Sequence, residues 1–496
     1  MNYYAIGIGG TGAKCIDALL HLSAAGMMPD GDLYVLFVDP DIANGSLGRA
    51  QLTLNRYSNL RAALQVGGSD FLSTNVLSAK PDVWTPFADE AQPRLDSFFN
   101  YELLKVRDKP VADLFDALYT PQEKETTLEK GFRGHPSIGA AVMASTLKLG
   151  EGEPWATFRA RIANDLGGGS GASIFLFGSI FGGTGASGFP TIARLIRDEL
   201  QKIQGAKARL GGSLILPYFS FVPPTQDDQM RASSENFLLQ TQVALKYYNE
   251  QDKTEIYDDV YLLGDESLTP VPFSIGAQTQ CNAPHFIELM AALAAIHFFK
   301  NYPAKPQKYH LIARHAPNAL EWGDLPTNDG GRTAQRKLGT LARFAVSTLC
   351  VYLPLLEDLA RNGFDYRAPM YVNLVKRRGI SLVGDEAQQV FPLLKEYCEI
   401  FLQWIANIQR SSEDEEMQII DERIFAEKAG NEIRLIAPNK FLLSEFNHLI
   451  LPVGTTERQT LGELWEKMCQ TPVRDRNAQG MGIFFNALYR SCGVED

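Results

Sequence analysis

GIGGTGAKC, residues Gly7–Cys15, is the stretch that decides how this chain folds. It joins the apolar, β-rich run Asn2–Ile8 to the helical pattern of Ala13–Ala25. A second stretch, FGGTGASG at Phe181–Gly188, sits in the same way between the apolar run Ile174–Phe181 and the helical pattern Phe189–Ile203. Glycines at a strand-to-helix turn let backbone N–H groups approach an anion closely, and the positive end of the helix favours phosphate. Two such loops, separated by enough residues for several βα units, predict one nucleotide gripped from two sides.

Outward from the first loop, Leu33–Val38 is a continuous apolar run ending at Asp39, which reads as a second buried strand parallel to the first. Ser213–Phe221 and Asp259–Leu263 read as further strands. Ile138–Leu149 with Ser137 as its N-cap, Pro154–Ala163, Arg231–Asn249 and Pro284–Phe299 read as helices. Arg49–Lys130 mixes short helical stretches with prolines and is assigned only loosely. The alternation predicts an α/β domain over residues 1–300, with a Rossmann-like, mainly parallel sheet. After the proline-containing segment Asn301–Gln307, the patterns Thr333–Leu359 and Glu386–Gln409 predict a helix-rich α+β C-terminal domain over residues 301–496.

The first loop fits G-x-G-x-x-G as Gly7, Gly9 and Gly12, in the strand–turn–helix context that motif requires. Asp39 ends the next strand, where an acid can bind a ribose hydroxyl. Taken alone, this half points to an NAD or FAD site. A Walker loop is excluded, because Lys14 is out of register for G-x-x-x-x-G-K-[ST]. The second loop changes the expected ligand. Gly182, Gly183, Thr184 and Gly185 offer successive backbone donors, a nest suited to the terminal phosphates of a nucleoside triphosphate.

The second loop also resembles the signature of the tubulin/FtsZ superfamily, a strand followed by GGGTG(S/A)G, with Phe181 in place of a small residue and Ser187 in place of a glycine. Four other segments follow the family's order along the chain. Gly7–Cys15 is similar to its first phosphate loop and Asp39–Asn44 to its acidic loop. Gly134–Gly139 is similar to its G-x-N-P-x-x-G loop near the γ-phosphate. Asn282–Leu289, NAPHFIEL, resembles the loop that reaches the next subunit's nucleotide. The resemblance covers roughly residues 1–300 and is closer to divergent bacterial tubulin-like proteins than to tubulin or FtsZ proper. Two features depart from the family. Lys14 stands where FtsZ has an asparagine near the base. The short interval between Asp259–Leu263 and Pro284 leaves no room for a long central helix.

The resemblance implies a GTPase that binds GTP or GDP with Mg²⁺ and associates with itself head-to-tail, a heterologous contact that generates filaments when it does not close. Gly9, Gly10, Thr11 and Gly12 would hold the α- and β-phosphates, and Gly182, Gly183, Thr184 and Gly185 the β- and γ-phosphates. Gly134 and Pro136 would lie near the γ-phosphate, and Lys14 and Asp39 near the base and ribose. Arg231 and Asn236 would supply ribose or phosphate contacts. Glu288, with His285 at the position of the family's first acid, would orient the attacking water in the neighbouring subunit's site, a positioning task. The alternatives are a nucleotide-bound scaffold that does not polymerise and a dinucleotide-dependent oxidoreductase.

Composition narrows the field. A net charge of −11 disfavours non-specific attraction to nucleic acid or anionic membrane. The six cysteines include no CxxC pair, which argues against a zinc or redox motif and for a reducing cytoplasm. No signal peptide is evident, and no apolar run reaches the ~20 residues that span a bilayer. Other proteins are expected to meet the chain, if anywhere, at its C-terminal domain.

Overall fold

The first strand, β1 (Asn2–Ile8), runs directly into α1 (Gly9–Ala24), and β2 (Asp32–Val38) returns parallel to β1 with Ile8 opposite Val38. This computed structural model describes residues 1–496 apart from 66–69, 88–92, 129, 133, 150, 204–207, 223–233, 252–255, 266–267, 273–276, 302–308, 313–321, 325–326, 328, 330, 355, 358–379, 382–383, 413–417, 420–426, 430–431, 435–466, 468–479 and 494–496. After β2 come α2 (Gly45–Ala63) and β3 (Asn75–Trp84). The loosely assigned stretch that follows holds four short helices, α3 (Leu95–Phe98), α4 (Tyr101–Arg107), α5 (Lys109–Leu118) and α6 (Pro121–Glu125). Next are α7 (Pro136–Thr146), α8 (Trp155–Gly167), β4 (Ala172–Ser179) and α9 (Gly183–Gln201). Then follow β5 (Ala208–Ile215), β6 (Phe219–Val222), α10 (Ser234–Gln251), β7 (Asp259–Leu263), β8 (Thr269–Pro272) and α11 (Phe286–Lys300).

Among the described residues seven strands form one sheet in the order β3-β2-β1-β4-β5-β7-β9, where β9 is Tyr309–Ile312, and every pairing in it is parallel. The protein is therefore α/β. All eight residues of β4 are buried, as its unbroken apolar sequence requires of a central strand covered on both faces. Among the described residues no helix is long and apolar enough to cross a membrane.

Three boundaries differ from the sequence reading, each for a physical reason. The helices after the glycine loops begin at Gly9 and Gly183, not at Ala13 and Phe189. Glycine's poor helix propensity is overridden by packing. A methyl group at Gly12 would stand 2.7 Å from the Phe177 carbonyl oxygen, and one at Gly185 2.7 Å from the Ser179 amide nitrogen, so only glycine lets these first turns lie on the strands. The expected strand Ser213–Phe221 divides, because β6 leaves the main sheet to pair with β8. Ser137 does not cap α7; His135 occupies that place, without a side-chain cap. Pro190 inside α9 leaves the Ala186 carbonyl without its helical donor, and the Tyr248 hydroxyl supplies one at 2.6 Å.

Beyond residue 300 the described elements are helix-rich and join the same core. β9 pairs with β7 as the last strand of the sheet. The helices α12 (Arg332–Ser347), α13 (Asp385–Arg410) and α14 (Met481–Ser491) pack in the same core as α1. His21 of α1 lies 4.6 Å from the Trp404 ring of α13, and the Tyr489 hydroxyl of α14 donates to the Ala25 carbonyl. In α1 every residue is buried except Gly10 and Thr11, at its tip. Gly12→Ala is expected to destabilise the protein by about 2–3 kcal/mol through backbone overlap. Urea unfolding checks this, and a midpoint equal to wild type would refute the close contact.

Candidate functional site

The strand order reverses between β1 and β4: β2 and β3 lie on one side, and β5, β7 and β9 on the other. Crevices at the carboxyl ends of parallel strands at such a switch point are where open α/β sheets bind ligands. Both glycine loops emerge there, one from β1 and one from β4. The first-turn amides of a helix have no carbonyl within the helix to pair with. Neither Ile8 before α1 nor Gly182 before α9 supplies a side-chain cap. The two tips touch, since a methyl at Gly9, whose φ is +71°, would stand 3.3 Å from Thr184 Cβ. The third uncapped N-terminus, that of α7, closes the hollow. A methyl at Gly183 would lie 3.1 Å from the Gly134 amide nitrogen and 2.9 Å from Phe132 Cβ.

Gly9, Gly10, Thr11, Gly12, Gly134, Pro136, Gly182, Gly183, Thr184 and Gly185 are thereby brought to one hollow, ringed by three positive helix ends. Asn44 completes its rim. Its side-chain oxygen caps α2 by accepting from Ser46 N and Leu47 N, while its amide stands 3.1 Å from where a methyl on Gly10 would be. A segment before α11 clasps this rim: Asn44 Nδ2 donates to Gln280 Oε1, Ser46 N to the Gln280 carbonyl, and Ala277 N to Asp41 Oδ2.

Asp39, one residue past Val38, is 3% exposed. Its Oδ1 accepts from Asp41 N at 3.0 Å, and its Oδ2 has no protein partner. Burial pushes its carboxyl up to about 8. The atom expected to meet a ribose hydroxyl thus lies beside the cradle without a protein partner.

Lys14 and Glu288 meet each other in the core. Lys14, at 3% exposure, points away from the cradle opening, and its Nζ pairs with Glu288 Oε1 of the same chain. Nζ also donates to the Tyr218 hydroxyl at 2.7 Å, and that hydroxyl donates to Glu288 Oε1 at 2.6 Å. Glu288 Oε2 accepts from His285 N at 3.0 Å, and His285 Nδ1 accepts from Ile287 N, forming a capping box at the start of α11. Glu288 is 1% exposed. Lys14, Glu288 and His285 each have their polar atoms engaged within the core of their own chain. His285 is held neutral: burial drives its imidazole down to about 3, and its Nε2 lies 3.1 Å from Thr269 Oγ1.

Arg231 lies outside the described residues; Asn236 is in α10, with its side chain outside them. Sequence reasoning missed Tyr218 and Gln280, which follow no motif. Asn44 carried a signal, an Asx residue directly before a helix, but the α2 pattern is too weakly amphipathic to mark the start.

No protein-family model matches the sequence, and no curated protein matches it. Solved structures give faint likenesses. CetZ1 of Haloferax volcanii, a GDP-bound monomer, is 12% identical with a TM-score of 0.25, over 53% of this chain and 51% of that one. CetZ2 of the same organism, a GTPγS-bound protofilament, is 14% identical with a TM-score of 0.26, over 68% and 72%. CetZ of Methanosaeta thermophila is 13% identical with a TM-score of 0.21, over 53% and 46%. The chain spans about half the length of the CetZ1 chain it matches. These neighbours come from archaeal sources and lend nothing to the expectation of bacterial kin. The α/β assignment stands on the strand order and pairings above.

Asp39 gives a pH test. Its folded value of about 8 lies above the ordinary carboxylate value of 3.8, so between these pH values the native state binds the extra proton. Its contribution to stability is present below pH 4 and is lost as pH rises through 8. In nucleotide-free protein, Asp39→Asn should remove this loss, so the variant gains on wild type by at most about 1.4 kcal/mol per pH unit between pH 4 and 8. Urea unfolding across that range reads it; parallel curves would refute the buried, unpaired carboxyl.

Proposed function

We propose that the chain is a tubulin/FtsZ-like protein that binds a guanosine nucleotide across the carboxyl ends of β1 and β4. The observation that carries this reading is the meeting of three uncapped helix N-termini at Gly9, Gly183 and Pro136 around one hollow. That arrangement calls for a multiply charged anion, and the glycines leave room for it against the backbone. Gly10, Thr11 and Gly12 would hold the inner phosphates, Gly183, Thr184 and Gly185 the outer ones, and Gly134 and Pro136 the γ-phosphate side. Asp39 Oδ2 would pair with a ribose hydroxyl. The guanine preference and the family rest on the resemblance of the loops. Among the described residues no cluster of three or more His, Cys, Asp or Glu could hold a metal, so Mg²⁺ would be held chiefly by the phosphates themselves. The nucleotide-binding unit of residues 1–300 would take in β9 and be braced by the C-terminal helices. The free cysteines, with Cys15 and Cys398 buried, support a reducing, cytoplasmic setting.

A second reading concerns turnover. Head-to-tail filaments whose GTP is hydrolysed by a neighbour's Glu288 follow from the family resemblance. The burial of Glu288 against Lys14 favours instead a stable nucleotide-bound scaffold. Equilibrium titration with GTP and Mg²⁺, followed by phosphate release and sedimentation over a range of protein concentrations, separates the two. We expect about one nucleotide bound per chain and slow release of phosphate at a per-chain rate independent of concentration. Turnover that climbs with protein concentration, together with nucleotide-dependent pelleting, would show that a second copy completes the site and would overturn the scaffold reading.

A further inference from the structure

The group of polar side chains buried beneath the cradle does more than withhold Glu288 from solvent. Tyr218 lies just past β5, and its hydroxyl is the common partner of Lys14 Nζ at 2.7 Å and Glu288 Oε1 at 2.6 Å. Lys14 lies one helical turn below Thr11, so it fixes the tip of α1; its ammonium also stands 5.1 Å from the centre of the Tyr218 ring. The phenol is held protonated by burial and by Glu288, while a hydrogen bond from Thr11 works the other way. On the far side Glu288 closes the cap of α11 through His285 N. The next amide, Phe286 N, donates at 2.7 Å to Ser411 Oγ, at the C-terminal end of α13. A continuous set of polar contacts therefore runs from the open tip of α1 to the C-terminal helices, through groups that are 5% exposed or less from Lys14 to His285.

Two ions are costly to bury, and hydrophobic residues of similar size would often serve stability as well or better. A fully satisfied network does something an apolar contact cannot: it fixes one arrangement of α1 against α11 and leaves a large penalty for any other. We propose that Tyr218, with Lys14 and Glu288, is a positioning residue of the phosphate cradle, tying the seat of Thr11 to the N-terminus of α11 so that nucleotide occupancy and the seating of α11 are one equilibrium. This rests on the nucleotide-binding reading. Occupancy would be read out by α11 and passed to α13 through Ser411, and the same linkage obliges α11 to tighten the cradle in return.

The test uses the full chain loaded with the N-methylanthraniloyl derivative of GDP. Its release is followed by fluorescence, and amide hydrogen exchange is measured at residues 285–290 with and without GDP. Tyr218→Phe keeps the ring and the ion pair. It is expected to release the probe about five- to tenfold faster, as the loss of one net hydrogen bond would allow. The slowing of exchange that GDP produces at residues 285–290 in wild type should vanish in the variant. The double variant Lys14→Met/Glu288→Gln removes both charges together and should show the same uncoupling, which covers the case where Tyr218→Phe does not fold. A folded Tyr218→Phe with wild-type release and a wild-type exchange response overturns the proposal while leaving nucleotide binding intact. Loss of the fold in both variants makes the network a core element alone and overturns it too. Wild-type protein that retains no probe overturns the nucleotide-binding reading, and this inference with it.

Discussion

The structure turns on a backbone contact with no side chain in it. Gly12 in the first turn of α1 lies against the Phe177 carbonyl of β4, and Gly185 in the first turn of α9 lies against Ser179 at the end of the same strand. These approaches press two helices onto β4 so closely that their tips touch at Gly9 and Thr184. With α7 beside them, three positive helix ends share one hollow, an arrangement that repels itself until an anion sits there. What holds the ends together is apolar burial elsewhere: β4 covered on both faces, and α1 enclosed on all sides except at Gly10 and Thr11. The part of α1 left open is the part that faces the hollow.

The second organising contact is the Lys14–Glu288 pair with Tyr218. It decides what α11 can do. The Glu288 carboxylate accepts from a tyrosine hydroxyl and a backbone amide and pairs with a lysine in the core, so both its oxygens are engaged within its own chain. These residues make Glu288 a fixed point between α1 and the start of α11. The clasp of Gln280 and Ala277 on the loop from Asp39 to Asn44 adds a second tie between the segment before α11 and the cradle rim.

Much of this was legible in the residues, and the failures have identifiable causes. Continuous apolar runs revealed β1, β2 and β4, because a strand buried on both faces has no other composition. The two glycine loops were recognised and fall together, since their spacing from the strands is local information. Their helical character was not, because glycine's propensity argues against a helix and only the approach of Phe177 and Ser179 explains it. Lys14 and Glu288 were placed by family position, and Glu288 also by its seat in the first turn of a helix. A lysine and a glutamate far apart in sequence give no sign of being partners until α1 and α11 are packed. Tyr218 lies in no motif at all. β9 follows a proline-rich stretch and is short and half-exposed, so its membership of the sheet was invisible to pattern.

The most direct test of the central claim is to purify the protein, incubate it with GTP and Mg²⁺, remove free nucleotide, denature it and identify what is released. The account predicts a guanosine di- or triphosphate in near-equal amount to the protein. Release of a flavin or nicotinamide dinucleotide, or of no nucleotide at all, would contradict it.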